Sequence, residues 1–172
     1  MTVPAIRFEH ISKRFPGARA LEDVSFDVAP GSCHALCGEN GAGKSTLGKI
    51  LAGIHSADAG RIVLFGQPVA FSGPEQALAA GVGMVHQELA FCENLTVAEN
   101  LCLESLPRSG LFVSRPRMYR RAAEMLAAIG ADIDVSRTVA ELSIGQQQML
   151  QIAGAVGLGA RVIVSDAPTS SL

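Results

Sequence analysis

The sequence predicts an α/β fold with an antiparallel strand region near its start and a helical region in its second half. Three observations predict it. Two runs, "AIRFEHISKRF" and "LEDVSFDVAPG", alternate polar and apolar residues around "PGARA", the pattern of two half-buried antiparallel strands joined by a turn. A short apolar run, "SCHALCG", leads into the glycine-rich "ENGAGKST", after which Leu47, Ile50, Leu51 and Ile54 fall at helical spacing, giving strand, loop, helix. Beyond Gln87 the apolar period lengthens, with Met118, Ala122, Met125, Leu126 and Ile129 three or four residues apart. Eighteen glycines and 5% aromatics favour the same layering over an aromatic-rich β-sandwich.

The other elements follow in order. "GRIVLFGQPVAF" reads as a hairpin turning near "FGQP", and "PEQALAAG" as a short helix feeding the strand "VGMVHQ". Thr96 with Glu99 makes a capping box opening "TVAENLCLE". "ESLPRSGLFVSRPR" is an exposed, variable connection. Arg115, Arg117, Arg120 and Arg121 then cluster at a helix start, where a solvated face is the preferred reading and a contact with the transporter the lesser one. Ser143 with Gln146 makes a second capping box, opening "IGQQQMLQIAGAV", in which Met149, Ile152, Ala153 and Val156 share one face. The last strand, "RVIVSD", is an apolar run, read as buried, that delivers Asp166.

Bulk properties exclude several classes. A length of 172 residues suits one domain, and a net charge of -2 argues against a general nucleic-acid binder. No apolar stretch reaches membrane-spanning length, and "MTVPAIRFEH" has no signal-peptide pattern, so a cytoplasmic location is expected. Cys33, Cys37, Cys92 and Cys102 form no close pair and are expected to be reduced and mostly packed. The four histidines form no ligand spacing.

Gly38, Gly43, Lys44 and Ser45 carry the clearest chemistry: a glycine, four residues, then glycine, lysine and a hydroxyl. Glycines let backbone N–H groups converge on phosphate oxygens, Lys44 adds positive charge, and Ser45 can ligate magnesium. Thr46 follows at the helix N-terminus. A strand ending in Asp166 can supply the carboxylate that holds magnesium through water in phosphoryl-transfer sites.

With "LSIGQQQM", these residues give the chain a family likeness. It resembles the nucleotide-binding subunits of ATP-binding cassette (ABC) transporters. The phrases "GENGAGKST", "MVHQELAFCENLTVAENL", "LSIGQQQM" and "SDAPTSSL" look most like the N-terminal cassette of bacterial ribose, galactose and xylose importers. The resemblance implies a P-loop ATPase core binding ATP and Mg2+ through Gly38, Glu39, Asn40, Gly41, Ala42, Gly43, Lys44, Ser45 and Thr46. Phe15 matches the aromatic that stacks on adenine. Gln87 matches the glutamine that reaches magnesium and the attacking water, joining Ser45 and Asp166 as metal ligands and Lys44 and Asp166 as catalytic groups. Ser143, Gly145 and Gln146 match the signature motif that clamps the ATP of an opposite cassette, with Ile144 in place of the commoner glycine.

By the same resemblance, 1–172 is a single partial nucleotide-binding domain whose core lacks its last part. Residues 1–87 correspond to the ATP-binding core and antiparallel region, 88–158 to the helical subdomain and signature helix, and 159–172 to the strand of Asp166. The family's next strand lies between the one feeding the phosphate loop and the one carrying Asp166, so open strand edges are expected. The implied partners are a second cassette, membrane permease subunits and a periplasmic sugar-binding protein, at the inner face of the cell membrane, with no nucleic acid.

Ala167 breaks the pattern, standing where the family has the glutamate that polarises water. The expected function is the ATP-binding subunit of a sugar importer, an ABC-type ATPase whose own hydrolysis is impaired. Two rivals stay open: a non-hydrolytic nucleotide-binding scaffold with a degenerate site, and a non-functional truncated remnant.

Overall fold

The structure, a computed structural model, describes residues 3–85 and 91–165. Gln87, Asp166 and Ala167 lie outside the described residues. The chain divides into two compact units, the first containing residues 3–84 with 164 and 165, the second containing residue 85 and 91–163.

The first unit begins with the strands expected from alternation. β1 (Ile6–Phe15) and β2 (Ala18–Val28) pair antiparallel, with Ile6 opposite Val28 and Phe15 opposite Ala18. Ile6 and Phe8 point inward on even positions, yet the next core residue is Ile11, which is fully buried. The parity changes because β1 bulges between Phe8 and Ile11, where His10 adopts a left-handed φ of 54°. A bulge adds one unpaired residue and so returns the following side chains to the core. His10 is held there by Asp23 of β2, itself at φ 51°, through a 2.6 Å Nδ1 to Oδ1 contact.

β3 (Ala59–Leu64) lies on the other side of β1 and β4 (Gln67–Val69) outside it, for a sheet order of β2, β1, β3, β4. Phe65 and Gly66 join β3 to β4, both with positive φ, as a two-residue hairpin matched to strand twist requires. Gly60 faces the β1 bulge at φ 87°, and a Cβ there would run into the carbonyl oxygens of Glu9 and His10. Arg7 and Asp27, paired across β1 and β2, meet through bidentate hydrogen bonds of 2.7 and 2.8 Å.

Helix α1 (Lys44–Leu51) buries Leu47, Ile50 and Leu51 as its spacing predicts. Helix α2 (Pro74–Ala79) opens on a proline that fits the first helical turn. It leads to β5 (Val82–Val85).

One predicted strand is absent: residues 32–39, covering "SCHALCG", have no strand structure and are exposed. An extended segment becomes a strand when its N–H and C=O groups find a ladder, and this one has no partner among the described strands. The cysteine expectation fails for the same reason at Cys33 and Cys37. These and Cys92 are exposed, and Cys102 alone is packed, with burial raising its thiol pKa.

The second unit contains α3 (Val97–Cys102), the small hairpin of β6 (Arg108–Ser109) and β7 (Phe112–Val113), α4 (Arg115–Ala128) and α5 (Ile144–Gly157). Met118, Ala122, Met125 and Leu126 are the buried face of α4. They contribute to two apolar clusters, one with Val97, Val139, Leu142, Leu150 and Ala153, the other with Ala98 and Cys102. The connection before α4 is exposed, as expected, but Gly110 turns it into the β6–β7 hairpin.

Two sequence expectations need correction. The buried line of α5 is carried by Leu150 and Ala153, while Met149 is exposed. The helix approaches α4 so closely at Gly157 that a Cβ would overlap Met125, and Leu150, Ala153 and Gly157 fall on one face at helical spacing. The final strand, β8 (Val162–Ser165), is only half-buried, with Ile163 and Ser165 exposed. Among the described residues it pairs with β5 alone in a two-stranded sheet, and its Val164 side chain lies against Gly48 of α1.

Leu150→Ala should cost about 2–5 kcal/mol, because a fully buried side chain is removed from a closed apolar cluster. Urea denaturation followed by helical circular dichroism reads the loss. An unchanged midpoint would contradict the packing described for α5.

Candidate functional site

Residues 38–46 carry the sequence-predicted phosphate loop, and its shape follows from two glycines. Gly41 and Gly43 adopt φ of 86° and 84°, values that cost little without a Cβ. Gly43 caps α1 in a left-handed conformation with no side-chain cap. A Cβ on it would strike the Ala20 carbonyl oxygen and the Leu21 side chain of β2. The loop is thus pressed onto β2 at a point where only glycine fits.

The first turn of α1 then presents its backbone with no acidic side chain in it. Unpaired N–H groups and the helix dipole make such a terminus attractive to anions. Lys44 curls back over the loop, its Nζ donating to the Gly38 and Glu39 carbonyls at 2.8 Å each. The ammonium is therefore held on the loop side of the helix. Ala42 N–H closes onto Glu39 carbonyl at 3.1 Å, and Leu47 N–H onto Gly43 carbonyl at 2.9 Å, so Asn40 and Gly41 form the crest between them. Ser45 is exposed beside Lys44, and Thr46 is half-buried.

Phe15 belongs to the same unit. It pairs with Ala18 at the start of β2, two residues before the carbonyl that touches Gly43. Its ring meets His55 edge-on at 5.4 Å, and Lys13 Nζ lies 5.6 Å from the ring centre. Asp58 fixes this corner: it accepts from Lys13 Nζ at 2.7 Å and from Arg14 N–H at 2.7 Å, while its own N–H donates to Ser12 carbonyl at 2.9 Å. Hydrogen bonding by Lys13 and by Arg14 N–H holds the Asp58 carboxyl below its ordinary pKa. Sequence reasoning found Phe15 but missed Lys13, His55 and Asp58, whose spacing along the chain carries no periodic signal.

In the second unit, Ser143 caps α5 as predicted. Its Oγ accepts from Gln146 N–H at 3.3 Å and its N–H donates to Gln146 Oε1 at 3.0 Å. Gly145 has open space around its Cα, and Ile144 is 70% exposed. Gln147 ties the same turn inward, donating to the carbonyls of Val139 and Leu142. Gln146 is thus occupied in the cap that orients the helix N-terminus.

The residues suit a nucleotide's phosphates: glycine backbone, a helix start without a side-chain cap and one ammonium on a single loop. Among the described residues, no group of three or more His, Cys, Asp or Glu could hold a metal ion. A hydroxyl such as Ser45 fits a magnesium ion that arrives with phosphate oxygens, the usual habit of this poorly dehydrated cation.

Comparison with known proteins agrees with this geometry. The sequence profile described as ABC transporter matches residues 21–170. The arabinose import ATP-binding protein AraG 1 of Burkholderia ambifaria is 50% identical over 168 residues, 98% of this chain and 33% of that protein. A protein of Agrobacterium fabrum, named for ribose, galactose or methyl galactoside import, is 46% identical over 97% of this chain and 33% of its own length. The chain spans about a third of the length of these curated relatives. Among solved structures, a nucleotide-free ATP-binding cassette from an ABC transporter matches with a TM-score of 0.80 at 27% identity, over 98% of this chain and 71% of that one. A second ATP-binding cassette of an ABC transporter gives 0.83 at 28% identity, over 99% of this chain and 72% of that one.

Asp58→Asn should lower the melting temperature at neutral pH and loosen the Phe15 corner. The folded-state pKa of Asp58 is depressed, so its contribution is present above the unfolded value and is lost as pH falls through the folded one. The gap between wild type and variant should therefore close in acid. Equal melting temperatures at neutral pH would show that Asp58 does not brace this corner.

Proposed function

The chain belongs to the ABC transporter family, and from that premise we propose that it is the ATP-binding part of a sugar importer, coupling ATP binding and hydrolysis to carbohydrate uptake, with its own hydrolysis impaired. The observation that carries the proposal is the loop at 38–46, where Gly43 lets α1 start against β2 and Lys44 is held over the loop. The arabinose, ribose and galactose import named for the relatives supports the sugar class.

In this reading the N–H groups of residues 41–46 and the Lys44 ammonium bind the nucleotide's phosphates. Phe15, exposed at the end of β1, offers a face for adenine, and Lys13 and Asp58 keep it in place. Ser45, Gln87 and Asp166 would hold magnesium, which neutralises charge on the phosphate oxygens when bound. Ser143 and Gly145 present the start of α5 to the nucleotide of a second cassette, with Gln146 bracing the cap. Membrane permease subunits at the inner face of the membrane, served by a periplasmic sugar-binding protein, are the proposed partners.

Ala167 favours slow turnover. A methyl group cannot orient or deprotonate water, whereas the phosphate contacts do not depend on it. This residue is also what supports a second reading, a nucleotide-binding scaffold that closes without hydrolysing.

Titration calorimetry with Mg-ATP should give saturable binding that Lys44→Ala abolishes. Heat that is absent from both proteins, each folded, would overturn the proposal. Ala167→Glu should raise steady-state ATPase activity by a factor of about 100 to 10,000 if a water-orienting group is the missing part. Unchanged turnover despite retained binding would favour the scaffold.

A further inference from the structure

Among the described residues of the second unit, the longest run of exposed apolar side chains is one that the proposed nucleotide site does not use. Leu111 is 97% exposed at the tip of the β6–β7 hairpin, Phe112 is 80% exposed beside it, and Val113 follows at 46%. Large apolar side chains scattered singly are ordinary on a surface, but three consecutive ones on an exposed hairpin are not. Leu103 and Leu106, earlier in the same connection, are exposed as well.

The surroundings of this tip are cationic. Between Leu103 and Arg121 the chain holds five arginines, at 108, 115, 117, 120 and 121, against the single acid Glu104, although the whole protein carries -2. Arg117 donates to the Arg108 carbonyl at 3.3 Å, and Arg121 donates to the Ser105 carbonyl and Oγ at 3.1 Å. Ser114 N–H closes the hairpin base onto the Pro107 carbonyl at 2.8 Å. Arg117 and Arg121 are therefore tied to the base of the hairpin, while Leu111 and Phe112 at its tip stay exposed.

We infer that this hairpin and the start of α4 dock on an anionic lipid membrane, Leu111 and Phe112 entering the interfacial layer while Arg108, Arg115, Arg117 and Arg120 meet lipid phosphates. Apolar side chains gain by leaving water at the headgroup boundary, and each nearby arginine is drawn to negative surface charge. A second copy of the chain is a poor occupant, since it would bring the same excess of positive charge to the contact. An exposed hairpin tip suits a deformable interface, where a preformed groove is not required. The inference goes beyond the nucleotide-site proposal and needs no nucleotide.

The chain has no tryptophan, so Phe112→Trp supplies a single fluorescent reporter at the tip. Its emission should shift to the blue with vesicles of phosphatidylcholine containing phosphatidylglycerol, remain unshifted with phosphatidylcholine alone, and lose the shift in high salt. In co-sedimentation without nucleotide, wild type should pellet with the anionic vesicles. The Leu111→Ser, Phe112→Ser double variant and the Arg115→Gln, Arg120→Gln double variant should each bind about tenfold more weakly. All four positions are exposed, and unchanged helical circular dichroism verifies folding. No blue shift and no pelleting with folded protein would overturn the inference, as would binding as strong as wild type by both double variants. Binding of the tip to a permease fragment with no lipid binding would assign it to a protein partner instead. Mg-ATP binding, measured separately, would stand or fall independently of these results.

Discussion

The structure of the nucleotide site depends on the turn at Gly43. Helix α1 can start where it does only because the residue before it takes a left-handed backbone and carries no side chain toward β2. Everything chemical in the loop follows from that start. The helix presents its open end, Lys44 folds back onto the carbonyls of Gly38 and Glu39, and Ser45 lies exposed on the first turn. A larger residue at position 43 would have to move either the helix or the sheet, and with them the positive end of the dipole. The anion binding proposed for the loop would therefore rest on backbone placement first and on charge second.

The second unit solves the same problem of helix starts by opposite means. Thr96 and Ser143 each cap their helices with a side chain and are clasped in return by Glu99 and Gln146. Asn100 reinforces the first cap, donating to the carbonyls of Cys92 and Thr96, and Thr96 bridges to Thr138. A capped helix start is fixed in direction even when no ligand is present. That suits a surface whose proposed task is to be offered to something outside the chain, whereas the glycine start of α1 leaves its N–H groups for a ligand.

Local patterns made much of this legible. Both capping boxes, the β3–β4 hairpin and the buried face of α4 obey rules that act within one turn or one pleat, and the residues named from those rules occupy the positions expected. What escaped depends on distant neighbours. The bulge at His10 is stabilised by Asp23, and α5 comes close against Met125 at Gly157. The segment at 32–39 has the composition of a strand, but composition supplies no partner. At the site, Lys44 and Gly43 were visible as a motif, while Asp58 had to be seen across 44 residues of chain to be connected with Arg14.

The two surfaces proposed to attract negative charge differ in physical kind. The loop at 38–46 concentrates fixed backbone dipoles and one tethered ammonium into a concave turn, so it discriminates by shape as well as by sign. Around the 108–113 hairpin, Arg108, Arg115, Arg117 and Arg120 are exposed, and attraction to such surface charges is spread over a wide area and weakened by salt. The first arrangement rewards a compact anion with several oxygens in fixed geometry. The second rewards an extended sheet of charge, and its apolar tip adds a term that no soluble anion can satisfy. Net charge near neutrality conceals both, because the acids that balance the arginines lie elsewhere in the sequence.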